Sequence, residues 1–485
     1  MVWFRGKDLR VRDHAPLRDA AEAGEVVPLF VLDPYFFAPA RAAELPHRMQ
    51  FLLESLRALE QQLAERGSRL LVVAGKSVEL VPRLAQELRV DRVLAYRWVE
   101  PFARERDAKV SQALGGRLQL YEGETLLPPG TLRTLSGTPY RVFSQFARAF
   151  EHALHVEAAL PAPRRLPPFP TEVRAASAPI PSCQELGLTP NPALLRGGEA
   201  ASHQRLRIFE SELVSSYATG RDRMDLAATS RLSADLKFGT ISVRSVWAAV
   251  RRLGEQHPAS ARAFCNELVW REFAYSTLWD RPELLTQPFR PDFVGFPWRS
   301  DEPQLRAWSL GLTGYPLVDA AARQLLGEGF VHNRARMVAA SFLTKHLLID
   351  YRRGEQHYLK YLTDGDWASN NLGWQWCAGS GSDAQPYFRI FNPVAQGERF
   401  DPEGAYVRRW VPELRSVPAR FVHRPWQAPD DVLARAGVEL GQSYPRPIVE
   451  HGFARERYLS TAGRHLERAR RVQKPARSSP PRDCS

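Results

Sequence analysis

The stretch DGDWASNNLGWQWCAGSGSDAQPYFRIFNP, Asp364 to Pro393, gathers three aspartates, two adjacent asparagines and three tryptophans beside a Gly/Ser run. A hydrophobic core takes the rings but not the acids and amides, because buried polar groups cost free energy unless each finds a partner. The composition is that of a built site on an irregular segment. Asp364 and Asp366 can accept N–H groups of a ligand or pair with Arg336, and Asn370 and Asn371 can hydrogen-bond a heterocycle. The ordinary alternative is a polar loop capped by its own Asp and Asn side chains. A DxD pair can also hold Mg²⁺, but no further carboxylate cluster accompanies it, so no metal is expected. Trp374 and Trp376 flank Gln375; they would face one way in an extended segment and diverge in a helix.

Three shorter constellations accompany it. Thr229, Ser230, Arg231, Leu232 and Ser233 (TSRLS) offer hydroxyls and backbone N–H groups near a helix start, a geometry that can hold a diphosphate or simply cap a helix. In NELVWREF, Glu267, Trp270 and Arg271 fall at i, i+3 and i+4, so one helical face carries an acid, a large ring and a guanidinium. In HNRARM, Asn333 and Met337 share a face from which Arg334 and Arg336 diverge. In isolation each has an ordinary reading: a Ser/Thr helix cap for TSRLS, an amphipathic helix with a core Trp and solvated charges for NELVWREF, and a core Met with a helix-capping Asn for HNRARM.

The elements that must position these groups fall into two textures. Apolar runs at Val26 to Leu32, Leu70 to Ala74, Val93 to Tyr96 and Leu118 to Tyr121 read as buried strands; Leu52, Leu56, Leu59 and Leu63 repeat at helical spacing between the first two, with Gly67 as a stop. This βαβ rhythm predicts a doubly wound, mostly parallel sheet over residues 1–130. No GxGxxG follows its first strand. Residues 131–197, Pro- and Ala-rich from Leu160, read as a long interdomain connection, and residues 198–470 as a large all-helical domain. The fold class is therefore α/β plus all-α, ending in a basic tail at 471–485.

The 485 residues carry 66 Lys and Arg against 54 Asp and Glu, a formal charge of +12, and the bases are mostly Arg, which suits phosphate. Four scattered cysteines form no CxxC motif, which fits a reducing, cytoplasmic setting, and no run of eighteen apolar residues occurs.

Together VWFRGKDLRVRDH, TSRLS, NELVWREF, TGYPLVDAAARQL, HNRARMVAASFLTKHLL, DGDWASNNLGWQW and PYFRIFNPVAQGERFDPEGAYVRRWVPEL resemble the photolyase/cryptochrome family over nearly the whole chain, more narrowly class I cyclobutane pyrimidine dimer photolyases. The resemblance implies an antenna domain followed by a helical domain that holds FAD. It places FAD on Tyr217, Thr229 to Ser233, Arg336, Asp364, Gly365, Asp366 and Asn370, with Asn370 facing the flavin ring and Arg336 paired to Asp364. It places damaged DNA, as a monomer's partner, on Arg221, Glu267, Trp270, Arg271, Asn333, Arg334, Met337 and Trp376, with Glu267 acting in protonated form because it is buried beside Trp270. Photoreduction would pass through Trp374, Tyr351 and Trp298, where Tyr351 replaces the family's usual middle tryptophan. The family also implies rivals: a cryptochrome photosensor, against which Asn370, Met337 and Trp376 argue, and a (6-4) enzyme, whose paired histidines are not supplied by His332 and Asn333. A basic DNA-binding module without chemistry is the remaining alternative. FRGKDLR is one residue longer than the family pattern, with Met1 directly before the strand. Phe102 and Ala103 stand where folate-binding members carry polar ligands, which disfavours folate as the antenna and leaves a deazaflavin or none.

Overall fold

The computed structural model describes residues 1–171 and 177–473. Five strands, β1 (Val2–Phe4), β2 (Pro28–Leu32), β3 (Leu71–Ala74), β4 (Val93–Tyr96) and β5 (Leu118–Tyr121), form one parallel sheet in the order β3-β2-β1-β4-β5. Helices α1 (Ala15–Ala23), α2 (Pro46–Glu65), α3 (Ser77–Glu87) and α4 (Pro101–Ala113) are the crossovers. The period of two sorts the side chains: Phe4, Phe30 and Leu32 pack with Leu52, Leu56, Leu59 and Leu63 of α2, while Trp3, Leu29 and Val31 pack with Leu80, Val81 and Leu84 of α3. Both faces are buried, which is why the strands read as continuous apolar runs. The chain leaves β1 toward β2 on one side and pairs it with β4 on the other, so β1 borders a switch point, the place where open α/β sheets form a crevice beyond their carboxyl ends.

Among the described residues after 197 there is no strand, only helices and two isolated bridges. The helices that shape the site are α6 (Pro258–Asp280), α7 (Pro316–Glu328), α8 (Asn333–Ser341), α9 (Tyr351–Tyr361) and α10 (Trp367–Ala378); α11 (His451–Gln473) closes the described chain. Residues 474–485, most of the expected tail, lie outside the described residues, as do 172–176 of the expected linker.

Two expectations change. The connection 131–197 contains helix α5 (Phe143–Ala153), whose Phe143, Phe146 and Phe150, at i, i+3 and i+7, pack on Val269 and Phe273 of α6. The stretch beginning at Asp364 is not irregular: Asp366 caps α10 by accepting from the Ser369 N–H at 2.8 Å, and Gly379 ends it with φ 87°. The two tryptophans consequently diverge, Trp374 into the core and Trp376 half-buried toward the surface.

Candidate functional site

Elements of the helical domain line an open cleft of about 1480 Å³, a volume that includes solvent at its mouth. The loop Thr229 to Leu232, with Arg231 in the left-handed region at φ 55°, runs into a short helix at Ser233 and puts the three hydroxyls on the cleft wall with Tyr217. Arg231 lies 4.0 Å over the Phe330 ring and bridges Glu328 at 3.1 Å. From the next wall, α8 and the turn before α10 supply an ion pair: Arg336 Nη2 donates to both Asp364 oxygens, at 2.8 and 3.2 Å, while its Nε is held by the Val331 carbonyl. On α10, Asn370 donates to the Glu355 carbonyl at 3.2 Å, and Trp374 backs the wall. Glu267 on α6 and Asn333 and Met337 on α8, four apart and joined by an N–H···S contact of 3.9 Å, complete the lining toward the exposed side.

Asp366 is buried and held from both domains. Tyr275 donates to it at 2.7 Å and Lys7 lies 3.7 Å away. Burial works against its charge, but Lys7, the Ser369 N–H and Arg271 prevail and hold it below the usual range. Lys7 itself sits among Glu100, Glu124 and Asp366; burial opposes its charge, yet these acids hold it well above the ordinary lysine value. The residue that lengthens FRGKDLR thus comes within the stretch that supplies an interdomain ion cluster. Lys237, which lines this cleft and a second one, is held well below the ordinary value by burial, with Arg48 and Lys7 adding repulsion.

Several expected residues sit elsewhere. Gly365 lines the second cleft, where its carbonyl accepts from Arg48 at 3.2 Å. Arg271 borders the cleft from within, 4.1 Å over the Tyr275 ring and donating to the Glu124 carbonyl at 2.7 Å. Contrary to expectation, Glu267 is not buried beside Trp270: its side chain is 33% exposed and bridges Arg221 at 2.6 Å. Arg334 is paired to Asp222 at 2.8 Å and stacked 4.4 Å over Phe400. Trp270 and Trp376 lie outside the cleft lining; Trp270 instead stacks on Phe143. Trp374 meets Trp308 (5.9 Å, 73°) and Tyr358 (5.1 Å, 88°), whereas Tyr351 is buried with its hydroxyl unpartnered, and among the described residues no ring contact joins it to Trp374 or Trp298. Trp298 packs against Phe296 at 4.3 Å.

The second cleft opens where the switch point predicts, beyond the carboxyl ends of the strands. Trp3, Tyr35, Phe36, Trp98 and Phe102 give it aromatic walls, and Arg48, Lys76 and Arg106 give it positive charge. Phe102 lines it; Ala103 is buried and does not. Sequence reasoning missed this cleft, along with Lys7, Tyr275 and Lys237, because its walls are single residues after separate strands, whose only common signal is the position.

Residues 1–167 match a family model described as DNA photolyase and residues 264–464 one described as the FAD binding domain of DNA photolyase. The chain is 41% identical to a deoxyribodipyrimidine photo-lyase of Agrobacterium fabrum over 95% of its length and 96% of that protein's, and 42% identical to one of Thermus thermophilus, over 95% and 98%. Among solved structures, a bacterial class III photolyase from Agrobacterium tumefaciens superposes with a TM-score of 0.90 at 40% identity, covering 96% of this chain and 97% of that one. A Synechocystis cryptochrome gives 0.86 at 30%, covering 95% and 98%.

Proposed function

We propose, for a chain that belongs to the DNA photolyase family, that it repairs cyclobutane pyrimidine dimers in DNA under light, with FAD in the cleft of the helical domain and the dimer at its mouth. The observation that carries the reading is that Glu267, Asn333 and Met337 line the same cleft as the Arg336–Asp364 pair and Asn370. FAD binding belongs to the family. The lining fits it: Arg231 Nε and the Tyr358 hydroxyl are buried without partners, as groups awaiting a ligand are, and hydroxyls, an ion pair and an amide succeed one another along the walls. Held there in reduced form by these residues, FAD would supply the light-driven electron transfer, with no net redox change.

The protein's own residues do the rest. Thr229, Ser230 and Ser233 bind phosphate oxygens. Arg336 orients Asp364 toward the ligand, and Asn370 offers a neutral amide where a carboxylate would repel a reduced, anionic ring. Asn333 and Glu267 hydrogen-bond pyrimidine edges, and Met337 gives polarizable surface. For Glu267 to do so it must exchange Arg221 for the base, which frees that guanidinium for a phosphate. Taking the dimer out of the duplex to reach the cleft is the strategy of enzymes acting on bases. The class I likeness is not carried further, since a class III photolyase and a cryptochrome both stand among the similar structures. In the second cleft, flat aromatic walls beside lysine and arginine side chains suit a planar anionic antenna chromophore.

The test is repair of a dimer-containing oligonucleotide by reduced protein with and without blue light. Restored pyrimidines only in the light are expected. Dimer binding without restoration under light would overturn repair and favour the photosensor reading.

A further inference from the structure

We propose that Phe143 is a positioning residue for Trp270: it covers one face of the indole and presents the other to a single unpaired base. The inference deepens the dimer-repair reading and rests on it for the identity of the base.

The two rings lie 3.6 Å apart between centroids and 4° from parallel, so one face of Trp270 is fully occupied from within the protein. Phe273 meets both edge-on, Trp270 at 5.9 Å and 70° and Phe143 at 6.0 Å and 68°, closing a three-ring cluster that fixes the plane of the indole. Trp270 remains only partly buried, whereas Phe143 and Phe273 are buried, so the surface left open in this cluster is on Trp270. Phe143 is itself anchored to the loop that follows α10: its N–H donates to Asp383 at 3.2 Å, and the Ser382 hydroxyl donates to the Arg141 carbonyl at 2.8 Å. That loop leaves the helix bearing Trp376, so the start of α5 ties the helix bearing Trp270 to the end of the helix bearing Trp376. A stacking platform recognises a base through its flat face, and fixing the ring in advance lowers the entropy lost on binding. A segment that the sequence presents as connection thereby contributes to recognition.

The experiment compares Phe143→Leu, which keeps apolar bulk against Phe146 and Phe273 but removes the flat face, with Phe143→Tyr, Trp270→Ala and the Phe143→Leu/Trp270→Ala double variant. Dark affinities for dimer-containing and undamaged oligonucleotides of one sequence are measured beside thermal unfolding and flavin content. Expected is a loss of dimer preference of about two- to tenfold for Phe143→Leu, unchanged binding of undamaged DNA, near-full preference for Phe143→Tyr, and no further loss in the double variant beyond Trp270→Ala. Under light, KM for the dimer rises while kcat is kept. An unchanged preference in Phe143→Leu, equal losses on both DNAs, or losses that add in the double variant would overturn the proposal. Full preference in Trp270→Ala would instead bring down the stacking reading on which it rests.

Discussion

Glu355 lies on α9 with its side chain sealed behind the cleft, 5% exposed, and its carboxyl accepts from the buried Asn371 amide at 3.0 Å. Burial pushes this acid up from the ordinary 4.5 to about 7; the Asn371 bond pulls the other way, and Asp350 adds repulsion. A carboxyl whose proton affinity is higher folded than unfolded stabilises the fold fully below the unfolded value and loses that contribution as pH rises through the folded one. With about 1.4 kcal/mol per tenfold change in proton affinity, the rise from 4.5 to about 7 amounts to about 3 kcal/mol, withdrawn mostly between those two pH values. Glu355→Gln keeps an acceptor for Asn371 and puts a neutral amide where the acid proton stands, so it removes the titration and leaves the shape. The expected result is a variant close to the parent at pH 4.5 and about 3 kcal/mol more stable at pH 8, read as the difference between urea unfolding midpoints of the helical domain across that range. A difference that stays flat with pH, or one that grows toward acid, would refute burial as the controlling force. The consequence reaches the site, because the carbonyl of Glu355 holds the Asn370 amide.

Arg336→Met leaves Asp364, whose side chain is 7% exposed, without its partner, and flavin affinity should fall by about ten- to a hundredfold; titration of the apoprotein with FAD measures it, and an unchanged affinity would remove the pair from the binding site. Affinity for undamaged DNA should fall steeply with salt, and Asp222→Asn, which releases Arg334, should steepen the log–log slope by about one; an unaltered slope means that Arg334 never reaches a phosphate. Light-driven reduction of bound oxidised flavin should slow in Trp308→Phe, whose ring touches Trp374, and persist in Tyr351→Phe; transient absorption that loses its tryptophan signature only in the tyrosine variant would return the route to Tyr351.

What was legible in the sequence was whatever obeys a short period or a short motif. The strands at Leu71–Ala74, Val93–Tyr96 and Leu118–Tyr121 and the leucine helix appear where the apolar runs and the 3.6-residue repeat put them, because each is decided by its own residues against the core. The Arg336–Asp364 pair was also legible, since both residues belong to motifs with few other uses for a buried acid. Helix α10 was misread for a physical reason: Asp, Asn, Ser and Gly are poor helix formers in isolation, and here Asp366 acts as the cap while burial of Ala368, Trp374, Cys377 and Ala378 offsets the weak propensity. The period was there in Trp367, Asn371 and Trp374, hidden by residues chosen for what they touch.

Contacts between distant segments were not legible in the sequence. Charge counting made Arg221, Arg271 and Arg334 a common attraction for DNA, but each already has a partner: Glu267, the Glu124 carbonyl and Asp222. These partners lie between 46 and 147 residues away in sequence, beyond any local pattern. The pairs differ in consequence. Arg271 is enclosed, so its charge serves the interior, steadying Asp366 and Tyr275. Arg221 and Arg334 are bridged near the surface, where an ion pair is worth little and exchanges readily for a phosphate. A cleft whose outer arginines are held by Glu267 and Asp222 until DNA arrives keeps their guanidiniums in place without a large cost to release. The net charge of +12 therefore overstates the attraction of this mouth for DNA at rest, and the acids around it set how much of that charge a lesion-bearing strand can recruit.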